Sequence, residues 1–186
     1  LRLMIQRNDS SYADVAPLLI QWVKNERGDV QAAAEMTLTQ IPGDDVSRAV
    51  LYALDVEPAE QIALIRILGN RQFRGAILRL MQLAQQGDPA IRASALEALG
   101  AITDPISLPV VNAGLQDENE TIRRSAAVAS VPIATELRDR GRKQEALDLS
   151  LSALKSADNT VLRDLVGLLQ TVGGEHQITH LARRLQ

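Results

Sequence analysis

Cysteine is absent from the 186 residues, which excludes disulfides, thiolate metal sites and a cysteine nucleophile together. Aromatic residues make up only 2%: one Trp, two Tyr and one Phe. Sheet sandwiches and barrels draw on aromatic and β-branched side chains, so this shortage argues against an all-β fold. Lysine is scarce too. Only Lys24, Lys143 and Lys155 occur, and arginine supplies the rest of the 20 basic residues. Against 23 acids the net charge is -3, with a pI near 5.4, which weakens a nucleic-acid reading. Long apolar runs are missing as well: Val15 to Val23 is broken by Gln21 and falls short of the roughly 18–20 residues of a membrane span. No phosphate-binding loop, nucleophile elbow or paired-carboxylate signature is present. What remains is 46% hydrophobic residues, drawn from Leu, Ile, Val and Ala, enough for a real core.

No leader pattern of charged start, apolar stretch and small-residue cleavage site opens the chain. It begins at Leu1 without an initiator Met, and Leu1, Met4 and Ile5 stand at helical spacing with no cap before them. The expectation is a section of a longer protein, without membrane insertion and with its compartment left open.

An internal repeat organises the rest. The clearest unit runs from Gly87 through Asp88-Pro89-Ala90-Ile91-Arg92-Ala93-Ser94-Ala95 to Leu99-Gly100. A second copy runs from Asn119 through Ile122-Arg123-Arg124-Ser125-Ala126 to Ala129, placing Ile122 31 residues after Ile91. Asp158-Asn159-Thr160-Val161, with Leu165 and Leu169, keeps the polar cap and the apolar ladder, and Leu68-Gly69 lies 31 before Leu99-Gly100. About 30 earlier again come Val30, Ala34 and Leu38. Pro17 precedes Val30 by the 13 residues that separate Pro109 from Ile122, so a second marker keeps the same phase.

Each unit reads as two helices at the 3.6-residue period. First helices are expected over 12–27, 44–55, 72–86, 104–116 and 143–156, second helices over 29–40, 58–69, 89–101, 119–130 and 159–172, and a last one over 175–186. Asp88-Pro89 and Asp104-Pro105 supply an N-cap followed by proline in the first turn. Gly69, Gly100 and Gly173 are expected to end helices in the left-handed conformation. Between Ile122 and Val161 the spacing stretches to 39, and the excess falls on an irregular insertion at 132–143, where Pro132 is expected to end a helix.

G-D-P-A-I-R-A-S-A-L-E-A-L-G followed by D-P-I-S-L-P-V-V-N-A-G-L-Q-D resembles the short bacterial HEAT-like repeat, of the type found in phycobilisome-lyase-like proteins. The resemblance is strongest over 72–130. It implies an all-α, right-handed α-solenoid of antiparallel helix pairs, about five repeats in one domain over 1–186, with second helices lining the concave side. In that family the motif acid and arginine bond between neighbouring repeats; on matching positions these are Asp88, Arg92 and Arg123, while Val30-Gln31 and Val161-Leu162 lack the arginine. Residues 141–159 also resemble part of a tetratricopeptide hairpin, without its expected aromatic.

Candidate chemistry is sparse. His176 and His180 stand four apart on the last expected helix and suit either a metal or a solvated helix face, the latter being the simpler reading. No catalytic residue, metal or cofactor is therefore assigned, and the segment is expected not to be an enzyme. Arg66, Arg71, Arg74 and Arg79 form an arginine strip that either docks an anionic partner or pairs with the seven acids of 29–60. Trp22 is expected in the interior.

If Ile91, Ala95 and Leu99 face the core, then Ala93 and Glu97 face away. Shifting by the repeat gives a concave surface of Met36, Ile62, Arg66, Glu97, Arg124 and Val128. The expected function is a monomeric protein-interaction or scaffold module that uses this face on a protein or peptide. The alternative is a structural spacer of a larger, possibly exported, bacterial enzyme, docked to neighbouring domains. Lyase or DNA glycosylase activity is a minor alternative. A glycosylase groove is cationic and aromatic, whereas Tyr12, Trp22, Tyr52 and Phe73 lie in or beside first helices.

Overall fold

The computed structural model describes residues 12–55 and 58–173. The helix expected over 175–186, with His176 and His180, lies outside them, as do Leu1, Met4 and Ile5. The described residues form ten α-helices: α1 Tyr12–Asn25, α2 Asp29–Gln40, α3 Asp44–Tyr52, α4 Pro58–Asn70, α5 Ile77–Gln86, α6 Pro89–Ile102, α7 Leu108–Leu115, α8 Glu120–Asp139, α9 Lys143–Ala153 and α10 Asn159–Val172. Short 3-10 turns, Arg74–Ala76 and Pro105–Ser107, lead into α5 and α7. The helices pair as α1/α2 through α9/α10, and the five pairs stack into an α-solenoid.

Local chemistry sets the starts of the second helices. Asp88 caps α6, accepting from Ala90 N at 3.0 Å ahead of Pro89. Asn119 caps α8 through Thr121 N at 2.9 Å, and Asp158 caps α10 through Thr160 N and Val161 N, each at 2.9 Å. Asp104 caps the 3-10 turn before α7 rather than the helix itself.

Helix ends depart from expectation. Gly69 and Gly100 lie inside α4 and α6, and Gly173 adopts a right-handed conformation. The non-glycine residues with positive φ are Gln72 (φ 51) and Thr103 (φ 61), themselves 31 apart, and Gly141 (φ 79) follows α8. The two interior glycines serve close approach instead. A Cβ on Gly69 would lie 2.8 Å from Ala98 Cα, and one on Gly100 would lie 2.6 Å from Ala129 Cα. Second helices thus pack backbone to backbone, α4 on α6 and α6 on α8, while neighbouring first helices touch sparingly. That difference curves the stack with the second helices inside. Pro132 does not end its helix either: α8 runs on to Asp139 and takes up most of the extra spacing as two further turns. Proline has no N–H to donate to the Val128 carbonyl, so α8 forgoes one hydrogen bond of its own ladder.

The core is a continuous layer of Leu, Ile, Val and Ala; Leu64, Leu68, Leu80, Leu96, Leu99 and Ile122 are all fully enclosed. Trp22, expected inside, is 36% exposed.

The arginine strip pairs across the stack. Arg66 meets Glu35 and Arg79 meets Asp55, each at 2.7 Å, and Arg74 meets Asp104. Arg71 does more: Nε donates to Ser47 Oγ at 2.7 Å, Nη1 to the Leu38 and Ile41 carbonyls at 2.5 Å each, and Nη2 to the Gly43 carbonyl at 2.7 Å. One guanidinium at the end of α4 therefore satisfies the open C-terminus of α2, its following loop and α3.

Arg92 spans α6 to Asp117 after α7, joining one unit to the next, and also donates to the Ala84 carbonyl at 3.1 Å. Arg123 donates to the carbonyls of Asp117 and Glu118 at 2.7 Å, closing α7 from within its own unit. The Asn119 N–H at 2.9 Å and the Arg92 and Arg123 charges hold the Asp117 carboxyl below its ordinary value of 3.8. A lowered carboxyl stabilises the fold fully above the unfolded-state value and loses that contribution as pH falls through the folded one. Thermal unfolding of wild type and Asp117→Asn should therefore differ most at neutral pH, and the gap should close in the acid range below about 3.8. A gap independent of pH would mean that the carboxylate charge is not what matters.

Candidate functional site

Stacking the second helices in register brings one residue of each to the middle of the concave face: Met36, Arg66, Glu97, Val128 and Gly167. All are exposed, with Met36 at 58% and Val128 at 45%. Arg124 lies exposed one turn below this row. Ile62 shares that lower position but is half-buried against the core, and Ala93, expected to face outward, is buried. The row thus joins four of the six expected residues and sets Arg124 and Ile62 beneath them.

Two polar contacts order the row. Arg66 is held over α2 by Glu35 at 2.7 Å, and Glu97 accepts from Ser125 Oγ of the next unit at 2.7 Å. Arg124 pairs along its own helix with Glu120 at 2.9 Å. Between α2 and α4 a cleft of about 330 Å³ is lined by Glu35, Met36, Gln40, Arg66 and Asn70. The repeat shift that relates Met36 to Arg66 also relates Gln40 to Asn70, whereas Glu35 joins the cleft through its ion pair with Arg66, which the sequence does not show. A second, mainly apolar cleft of about 490 Å³ lies at the start of the stack, between Leu19, Trp22, Val30, Ala33 and Thr37. Among the described residues no group of three or more His, Asp or Glu is placed to hold a metal ion, and no helix is long and apolar enough to cross a membrane.

The row offers apolar, charged and amide groups side by side. Apolar contact comes from Met36 and Val128, opposite charges come from Arg66 and Glu97, and side-chain amides come from Gln40 and Asn70. Of the residues expected between repeats, Arg92 bridges two units, Arg123 closes its own, and Asp88 caps its own helix.

The motif-bearing middle of this stack is also where a known family is found. Residues 50–131 match the family model of HEAT repeats. The HEAT match covers α4 to α7 and most of α8, including both glycine contacts. No curated protein matches the chain. Among solved structures, human deoxyhypusine hydroxylase in complex with glycerol is similar, with a TM-score of 0.57 at 21% identity. The similarity covers 88% of this chain but 64% of that one. At that identity it is a likeness of fold. It overturns one expectation: the segment was expected not to be an enzyme because its sequence carries no catalytic motif, yet a similar helical stack is found in an enzyme. The architecture does not separate binding from catalysis.

Proposed function

We propose that this helical-repeat scaffold binds an extended segment of a partner protein along its concave face, across Met36, Arg66, Glu97 and Val128. The observation that carries the reading is the row itself. Two large apolar side chains are left exposed beside a fixed cation and a fixed anion on the most tightly packed layer of the molecule. A rigid surface loses little entropy on binding, which favours affinity.

Peptides selected from a random displayed library against the protein provide the test. Arg66→Glu and Glu97→Lys should each weaken the selected peptides about tenfold while leaving the helical circular dichroism unchanged. Unchanged affinity in both variants would remove the concave row from consideration.

A second reading draws on the fold shared with deoxyhypusine hydroxylase: the same face would present a protein substrate within a larger catalytic protein. Turnover of a bound peptide, rather than its recovery intact, distinguishes the two.

A further inference from the structure

Away from the central row, the start of α8 faces the turn between α9 and α10 across a cleft of about 200 Å³. Its polar lining is Glu120, Arg123, Arg124, Lys155, Ser156 and Asp158. The two acids are engaged: Asp158 caps α10 through two backbone N–H groups, and Glu120 meets Arg124. That ion pair is about two-thirds exposed on both sides (67% and 68%), so water competes with it and an incoming anion replaces it at little cost. The Arg123 guanidinium is fixed by the two carbonyls it closes, at 2.7 Å each. Lys155 is exposed and enters no ion pair among the described residues.

We propose that this cleft binds a phosphate monoester carried on a protein side chain. Three cationic side chains and the Ser156 hydroxyl surround a space larger than a carboxylate fills, and a tetrahedral oxyanion presents enough acceptors to engage Arg124, Lys155 and Ser156 together. The proposal does not depend on a peptide lying along the central row.

The test is titration of the isotopically labelled protein, followed by amide chemical shifts, with inorganic phosphate, with acetate at matched ionic strength, and with the blocked amino acids phosphoserine and glutamate. Phosphate and phosphoserine should move the amides of Arg124, Ser156 and Thr160 and saturate in the millimolar range, whereas acetate and glutamate should not. Lys155→Glu should weaken phosphate binding about tenfold, Lys155→Arg should keep it, and Met36→Glu, on the central row, should leave it unchanged. Failure of phosphate to move these amides, equal response to acetate, or full binding by Lys155→Glu would each overturn the proposal. Because Lys155 is exposed, loss of folding does not confuse the result; unchanged shifts elsewhere confirm it.

Discussion

Arg71→Ala should lower stability by about 3 kcal/mol, one of the two largest effects expected from a single substitution in this chain. The last carbonyls of α2 have no donor from their own helix, and a loop of three residues, 41–43, then turns the chain into α3. Arg71 fills this gap from α4 with bonds to Leu38, Ile41, Gly43 and Ser47. Burial opposes its charge and nearby Asp44 supports it, and the guanidinium remains protonated throughout the working range. Truncation leaves several half-buried acceptors unpaired at once, whereas an isolated surface ion pair such as Arg48 with Asp45 is worth about 0–1 kcal/mol. Arg71→Lys should recover little, because one ammonium cannot reach acceptors that the planar fork spans. In a domain of this size the loss corresponds to a drop of about 10 °C in the melting midpoint. Stacked repeats unfold from their weakest unit, so hydrogen exchange should quicken first in α2 and α3 and leave α8 nearly unchanged. A midpoint within about 2 °C of wild type would show that water replaces the guanidinium without loss.

How far the sequence reached is clearest at such positions. Helix positions followed from apolar spacing and from Asp-Pro caps, because those signals act within one or two turns. Asp88 and Asp158 sit at the N-caps that local chemistry expects. Contacts made between units were harder. The arginine strip showed an excess of charge over 61–87, but its partners lie 24 to 33 residues away in most cases, and only stacking reveals that Arg71 seeks carbonyls while Arg66 seeks Glu35. Asp117 closes the repeat motif, but its pairing with Arg92, 25 residues earlier, is set only by stacking. Pro132 was read by its usual local effect, yet the turns after it are held by burial of Ile133, Ala134 and Leu137, and packing outweighed one missing hydrogen bond. On the concave face the exposed row follows from a shift by the repeat, whereas the burial of Ala93 depends on the neighbouring helix. The phosphate-sized cleft joins residues from α8 and the α9–α10 turn, where the spacing of 39 breaks that shift.

Gly100→Leu should cost about 4 kcal/mol, and Gly100→Ala about 2 kcal/mol, although alanine is the better helix former by about 1 kcal/mol. In an isolated helix the alanine substitution would stabilise. In α6 the new Cβ would stand 2.6 Å from Ala129 Cα and 2.9 Å from its Cβ, and no rotamer change relieves a contact with backbone. The helices α6 and α8 must separate, and the close packing above and below Gly100 is lost with them. Gly69, whose Cβ would meet Ala98 Cα at 2.8 Å, should behave alike but more mildly. Gly167 is the control: it too is inside a helix, α10, with nothing within 4 Å of a Cβ, so Gly167→Ala should gain about 0.5–1 kcal/mol. Denaturation of the four variants under one set of conditions checks the ordering. If Gly100→Ala matched or exceeded wild type, propensity would govern both glycines and the close approach would carry no energy. Separation of α6 from α8 also pulls Ser125 away from Glu97, the bond that orients the acid of the concave row. Peptides that read Glu97 should therefore weaken in Gly100→Ala, which ties a contact of small residues inside the stack to the geometry of the face it presents.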